Sequence, residues 1–377
     1  MAVGATTERT TRTAADEAHM RRALDLALRG RGLASPNPMV GAVVVADGAT
    51  VGEGWHEGPG TPHAEVSALA RAQGQARGAT LYVNLEPCAH HGRSGPCAPA
   101  VVEAGITRVV ASMRDPFGEV DGRGFAYLRE RGVDVSSGVL EAEARRLNEG
   151  FIAYLSTGRP FVTLKMAASL DGRTAARDGS SRWITGEESR QDVHRLRAGS
   201  DAVVVGAGTV VVDRPSLTVR LDDYRGRQPL RVVVDGSGRT PAEGPTFDGS
   251  APTLLATSRR APASAVAAWR TAGAQVMVGG DEEVSIPHLV EFLGRERDVR
   301  NILIEGGPTL AWAAVEAGVV DRMVLYLAPI VLGGHESPGI VGGRGVDSVA
   351  GAVPMRIASV ERIGVDLKVE ANVHRDH

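Results

Sequence analysis

Four side chains of this sequence together suit hydrolytic chemistry on a metal: His63, Glu65, Cys88 and Cys97. A catalytic zinc takes three protein ligands and keeps its fourth position for water; one histidine and two cysteines supply that count. Two thiolates make the donor set soft, which favours zinc over magnesium or calcium. Cys88 and Cys97 are the only cysteines in the chain, and each follows a proline. Their alternatives are incidental buried thiols or a disulfide closing a short loop, the latter uncommon in a cytosolic chain. Glu65, two residues after His63, is placed to take a proton from the water and return it to a leaving amine. Its plain alternative is a solvated carboxylate in a first helical turn. Helix starts near His63 and Cys97 help hold negative ligand charge.

The elements that position these residues are readable from periodicity. His19–Arg29 carries apolar residues at helical spacing and stops at Gly30. Met39–Ala46 reads as a strand followed by the turn dipeptide Asp47-Gly48. A helix opens at Pro62-His63 and runs to about Gln73. The strand Thr80–Leu85 delivers Glu86-Pro87-Cys88, a helix follows over Cys97–Ala104, and Arg108–Met113 is the next strand. Near Gly150–Pro160 the pattern restarts. Strands are expected at Phe161–Lys165, Ala202–Gly206, Arg231–Asp235, Thr253–Thr257 and Asn301–Glu305, closing with antiparallel strands Arg322–Leu327 and Asp366–Val373. Strands alternating with helices imply two α/β domains. The division read from this is a flexible tail over 1–15, a first domain over 16–158 and a second over 159–377.

His-Ala-Glu followed by Pro-Cys…Pro-Cys resembles the cytidine-deaminase-like zinc enzymes, in which H-x-E gives a ligand and the acid/base and two cysteines complete the site. The usual second half is P-C-x-x-C; here eight residues separate the cysteines (PCAHHGRSGPC). With SPNPMVGA (Ser35–Ala42) and GWHEGPGTPHAE (Gly54–Glu65), that long loop resembles the bacterial bifunctional riboflavin-biosynthesis deaminase/reductases, from about Met20 to the C-terminus. The resemblance implies a cytidine-deaminase-like α/β/α domain followed by a dihydrofolate-reductase-like α/β domain that uses NADPH. It further implies Asn37 and His56 as pyrimidine or ribose contacts, with His90, Arg93 and Ser94 toward a phosphate. A polar, cationic insertion of that kind suits a phosphate on chemical grounds too.

In the second half, Gly206-Ala207-Gly208-Thr209 and Gly306-Gly307-Pro308-Thr309 each follow a strand and open a helix, a junction suited to phosphate binding by backbone N–H groups. Alone, such junctions are more often tight turns. The segments Leu164–Ala175, Ser181–Gly186, Val211–Arg220 and Glu305–Leu310 resemble the family's reductase half. The match implies Ala167, Trp183, Thr209, Asp213, Gly307, Pro308 and Thr309 as cofactor contacts. It implies Ser181, Arg197, Leu217, Arg220 and Glu305 as substrate contacts. Gly236, with Ser237 and Arg239, is placed to meet an adenosine 2′-phosphate. Lys165 is a candidate beside the sugar, being one of only two lysines in an arginine-dominated chain. The family's Asp-(Asp/Asn)-Pro reads Asp213-Arg214-Pro215 here, so Arg214 alters the local hydrogen bonding.

The implied reactions are zinc-dependent deamination of 2,5-diamino-6-ribosylamino-4(3H)-pyrimidinone 5′-phosphate, then NADPH-dependent reduction of the ribosyl group to a ribityl chain. A nucleic-acid deaminase would show P-C-x-x-C and a basic surface, whereas the net charge is −3. A second alternative is an inactive reductase-like binding or assembly module fused to a working deaminase. No apolar run approaches a membrane span, and the first fifteen residues lack the apolar stretch of a secretory signal. The expectation is a cytoplasmic enzyme of a phosphorylated small molecule, without nucleic-acid or membrane partners; the resemblance adds a homo-oligomer, dimer or tetramer.

Overall fold

Two separate sheets organise the chain, one of five strands and one of nine. The computed structural model describes residues 13–89, 95–118 and 120–373. It divides into the units Met1–Thr157 and Gly158–His377.

The first unit runs α1 (Ala14–Ala27), β1 (Gly41–Ala46), β2 (Ala49–Trp55), α2 (Ala64–Ala72), β3 (Thr80–Val83), α3 (Cys97–Glu103), β4 (Arg108–Ala111), α4 (Arg123–Arg129), β5 (Asp134–Ser137), α5 (Glu141–Leu147) and α6 (Glu149–Thr157). Its strand order is β2-β1-β3-β4-β5. β1 pairs antiparallel with β2 and β3, while β3, β4 and β5 are parallel. The alternation along β1 sends Val43 and Val45 toward α1 and Ala42 and Val44 toward the opposite core, so both faces are covered. The helix read from His19 begins five residues earlier. Thr13 and Asp16 form a reciprocal capping box, so Thr13–Ala15, assigned above to a flexible tail, are the cap and first turn of α1. Asp16 then turns inward to accept from Tyr82 Oη (2.9 Å) and Arg108 Nη1 (2.8 Å).

α2 lies directly against β2. Its inner face is Ala64, Ala68 and Ala72, all fully buried, and a Cβ at Gly54 would stand 2.3 Å from the Ala64 carbonyl oxygen. Glycine on the strand and alanine at every fourth helical position thus bring the helix start down onto the sheet.

The second unit runs β6 (Phe161–Ser169), α7 (Glu187–Ala198), β7 (Ala202–Gly206), α8 (Ala207–Asp213), β8 (Leu230–Val234), β9 (Thr253–Thr257), α9 (Ala263–Thr271), β10 (Gln275–Val278), α10 (Ile286–Glu296), β11 (Asn301–Ile304), α11 (Pro308–Glu316), β12 (Arg322–Ala328), β13 (Met355–Ile363) and β14 (Asp366–Val373). The strand order is β10-β9-β8-β7-β11-β6-β12-β14-β13. The first seven of these are parallel, and β14 runs antiparallel to both of its neighbours, β12 and β13. The chain steps outward from β7 to β10, then returns to insert β11 between β7 and β6. That reversal creates a switch point at the carboxyl ends of β7 and β11, where open α/β sheets bind ligands.

Candidate active sites

His63 is the N-cap residue of α2, and Glu65 lies in its first turn. Cys97 opens α3, and Cys88 follows β3 across a short loop. The close seat of α2 on β2 therefore fixes one half of the site and the β3 exit fixes the other. His63 Nδ1 lies 3.1 Å from Cys97 Sγ and 3.6 Å from Cys88 Sγ, and the three donor atoms all fall within 4.8 Å of one another. A tetrahedral zinc with Zn–S of about 2.3 Å and Zn–N of about 2.0 Å sets neighbouring donors roughly 3.5–3.8 Å apart. The donor set suits zinc; the His63–Cys88 spacing falls in that range, and the His63–Cys97 spacing of 3.1 Å would open by a few tenths of an ångström to reach it. The Cys97 N–H donates to Cys88 Sγ (3.4 Å). Hydrogen bonding from the Cys97 and His63 side chains outweighs burial and brings the Cys88 thiol down to about 4, which concentrates thiolate character there. Glu65 is buried (3% exposed) beside this trio. Burial, reinforced by Cys88, pushes its carboxyl up to about 7, a value suited to exchanging a proton near neutrality.

Two of the expected substrate contacts converge on the same site. His56 is buried; its Nδ1 faces the Pro62 carbonyl (3.3 Å) and its Nε2 faces Asn37 Nδ2 (3.0 Å). Those partners place the ring proton on Nδ1, and burial pushes the imidazole below its ordinary value, so it is neutral. The His56 and His63 rings meet edge-on with centroids 5.5 Å apart. His90, Arg93 and Ser94 lie outside the described residues.

Several supporting residues were not singled out from the sequence. Glu86 is buried and accepts three backbone N–H groups, from Asp115 (3.2 Å), Gly122 (3.0 Å) and Phe125 (3.1 Å). It thereby pins the Pro87-Cys88 loop, and a Cβ at Gly124 would lie only 1.9 Å from the Pro87 carbonyl oxygen. Asn84 and Asn148 bracket the backbone of Met39, and Asn84 also accepts from Gly41 N–H, which holds the segment bearing Asn37. Adjacency to Pro-Cys was the available signal for Glu86; the two asparagines had none.

In the second unit, Arg197 of α7 makes a two-pronged ion pair with Glu305, Nε–Oε1 at 2.6 Å and Nη2–Oε2 at 3.0 Å, and Nη1 donates to the Thr218 carbonyl (3.0 Å). Lys165 on β6 faces this pair. Burial lowers its ammonium below the ordinary value while Glu305 opposes that shift. Thr209 and Gly307 adjoin across the switch point: a Cβ at Gly307 would come within 4.0 Å of Thr209 Oγ1. α11 begins with Gly307 as N-cap and Pro308 next, with no side chain capping its first amides, which keeps them available to an anion. Asp213 is held by Arg182, whose Nη2 donates to its carbonyl and whose Nε stands 3.6 Å from Oδ1. Arg214 adopts a left-handed conformation at the C-cap of α8, and its guanidinium faces Gly244 rather than Asp213.

Trp183 is exposed, with the Arg190 guanidinium 4.7 Å from its ring centroid. Arg220 Nη1 donates to Ser216 Oγ (2.7 Å). The Leu217 side chain is buried in the core with Val203 and Val233 and so does not point toward a pocket as a side-chain contact would. Gly236 lies beyond β8, its carbonyl accepting from Ser258 Oγ (2.6 Å). Ala167 packs against Val324 and Tyr326, and the structure does not bring it or Ser181 together with the Arg197–Glu305 pair among the described residues.

Comparison with known proteins agrees with both halves. The family profile of the RibD C-terminal domain matches residues 160–369, and that of the cytidine and deoxycytidylate deaminase zinc-binding region matches residues 13–113. The chain is 42% identical over 364 residues to the riboflavin biosynthesis protein RibD of Escherichia coli, covering 93% of this chain and 98% of that one. It is 39% identical to the RibD of Bacillus amyloliquefaciens, covering 94% and 96%. Among solved structures, Acinetobacter baumannii RibD superposes with a TM-score of 0.83 at 36% identity, covering 96% of this chain and 99% of that chain. A Thermotoga maritima diaminohydroxyphosphoribosylaminopyrimidine deaminase/5-amino-6-(5-phosphoribosylamino)uracil reductase gives 0.82 at 36% identity, with the same coverage.

Proposed function

The chain belongs to the RibD family of riboflavin-biosynthesis proteins, and on that premise we propose how its two sites divide the work. It is a bifunctional enzyme: a zinc-dependent deaminase acting on a phosphorylated diaminopyrimidine, joined to a reductase that converts the ribosyl group of the product to ribityl. The observation that carries the deaminase is the buried Glu65 carboxyl beside the His63, Cys88 and Cys97 donors.

His63, Cys88 and Cys97 hold the zinc, which when bound supplies a Lewis acid that makes water nucleophilic at neutral pH. Glu65 is the group that would hold a proton from the attacking water and pass it to the amine that leaves as ammonia. Neutral His56, with its proton on Nδ1, and Asn37 orient the pyrimidine; His90, Arg93 and Ser94 bind its phosphate. Glu86 keeps Cys88 in register with its partners.

NADPH, when bound, supplies hydride to C1′ of the sugar. Thr209, Gly307, Pro308 and Thr309 form its cradle at the switch point, with Ala167, Trp183 and Asp213 alongside and Gly236 toward the adenosine end. Arg197, Glu305 and Lys165 orient the sugar, while Ser181, Arg220 and the Leu217 backbone complete the substrate site. The work of these groups is placement. Among the described residues no helix is long and apolar enough to cross a membrane. A cytoplasmic enzyme that assembles as a dimer or tetramer completes the reading.

One experiment tests both halves. The diaminopyrimidine substrate and NADPH are supplied together, and ammonia release and NADPH loss are followed on the same sample. Both signals are expected; NADPH loss without ammonia refutes the deaminase, and ammonia without NADPH loss refutes the reductase.

A further inference from the structure

The last strand inverts the ordinary pattern of a half-covered sheet. Asp366, Lys368 and Glu370 of β14 are 1%, 9% and 4% exposed, whereas the intervening Leu367 is 41% exposed. The inward residues lie under α7. Asp366 Oδ2 accepts from Gly186 N–H (2.8 Å) and Ser189 Oγ (2.5 Å), capping the start of that helix from a strand 180 positions away. A turn further on, Lys368 Nζ stands 2.9 Å from Asp192 Oδ2 and 3.1 Å from Glu370 Oε1. Tyr326 Oη donates to the same Asp192 oxygen (2.6 Å).

Strand register connects this group to the reductase pocket. Val324 pairs with Lys165 on one side and with Glu370 on the other; Tyr326 pairs with Ala167 and with Lys368. Directly paired residues share a face, so Lys165, Tyr326, Lys368 and Glu370 form one polar band beneath α7, whose Val193 and Leu196 fill the gaps. The same helix carries Arg197 to Glu305. Lys165 and Lys368 are the only lysines of the chain, and both lie in this band. Arginine serves everywhere else; lysine is kept where a compact ammonium is needed. A buried charge cluster is poor at raising stability, because an apolar set of similar volume often does as well. The cluster calls for another role.

We infer that Lys368, with Asp192 and Tyr326, is a positioning device that sets α7 so that Arg197 meets Glu305 in the reductase pocket. Lys368 touches neither substrate nor cofactor; it fixes the helix that does. The inference rests on the reading of Arg197 and Glu305 as substrate contacts.

Steady-state kinetics of the full-length zinc-loaded enzyme separate the possibilities. If α7 is mispositioned, Lys368→Met raises the reductase KM for the deaminated pyrimidine about tenfold with kcat within about twofold, the signature of lost uniform binding. Lys368→Arg, which keeps the charge but not the compact head, recovers only part of that loss. The double variant Asp192→Leu/Lys368→Met removes that pair as a unit and leaves the Glu370 carboxylate; its KM is expected to stay raised. Deamination by the same chain serves as the internal control and stays unchanged. A Lys368→Met enzyme with lower kcat and an unaltered KM has lost only active protein, and overturns the inference. So does a double variant with wild-type KM. Arg197→Ala distinguishes the underlying premise: if it too leaves KM unchanged, the pocket assignment falls and the inference with it. If Arg197→Ala raises KM and Lys368→Met does not, the inference alone fails.

Discussion

The two sites are assembled by opposite strategies. The metal site draws its donors from two short segments, 63–65 and 88–97, and each donor stands at or beside a helix start or strand exit. The proposed reductase pocket joins residues 108 positions apart in the Arg197–Glu305 pair, and the band beside it spans β6, β12, β14 and α7. One site is local chemistry held by close backbone packing. The other is long-range charge held by sheet register. Metal coordination tolerates little displacement, so glycine and alanine at the α2–β2 contact suit it; the proposed reductase pocket instead rests on a wide floor of neighbouring strands.

That contrast can be broken from the deaminase side first. Cys88→Ser is expected to reduce bound zinc from about one per chain to background. Deamination falls at least about a thousandfold, since the metal supplies several kcal/mol. Metal analysis and ammonia assays check this, and reduction of pre-deaminated substrate is expected to persist. Glu65→Gln keeps the zinc yet lowers deamination by about 10²–10⁴, the usual share of a positioned acid/base; zinc loss in that variant would make Glu65 a structural residue. From the other side, Glu305→Ala strands the buried Arg197 guanidinium, at a cost of about 3–5 kcal/mol. Calorimetry should show the reductase transition at lower temperature, with ammonia release intact.

Smaller effects sharpen the same division. Gly54→Ala drives a methyl against the Ala64 carbonyl, where 2.3 Å is available, and is expected to cost about 1–3 kcal/mol. The deaminase transition alone should fall. Asp16 supplies the mildest probe. Burial on its own raises this carboxyl, but hydrogen bonds from Arg108, Tyr82 and Thr13 outweigh it and hold it at about 2. A depressed folded value means that its contribution is complete above the unfolded value of about 3.9 and drains away as pH falls toward 2. Asp16→Asn should therefore lose stability at pH 5, with the gap to wild type narrowing by pH 2.5, as read by urea unfolding of the full chain.

The same contrast governs what the sequence disclosed. His63, Cys88 and Cys97 were legible as a candidate metal site because His-Ala-Glu and two prolyl-cysteines together resemble the zinc deaminases, and the structure brings the three donor atoms within 4.8 Å of one another. The parallel strands from β6 to β9 were legible as apolar runs, and β14 was found as a strand although its charged positions face inward. Charge normally marks solvent, so Lys368 and Asp366 gave no hint of burial. β13 was missed because its side chains are mostly exposed and carry no clear alternation. The start of α1 was missed although Thr13 and Asp16 spell its cap, since the flanking residues are small and polar. Glu86 was passed over because an acceptor of backbone N–H groups looks like any other glutamate.

The register of β6 has a consequence for synthesis. Its neighbours are β11 and β12, and the pair Asn301–Phe161 joins residues 140 positions apart. At about 5–20 residues per second, the strand bearing Lys165 emerges from the ribosome roughly 7–28 s before its first partner exists. Through that interval an apolar strand has exposed edges, while the first unit already holds every strand of its own sheet. The order of the two halves along the chain thus lets the deaminase fold early and leaves the reductase sheet dependent on its last-made strands. Nascent-chain occupancy by a holdase chaperone should accordingly concentrate after residue 161 and decline once 322–328 has emerged.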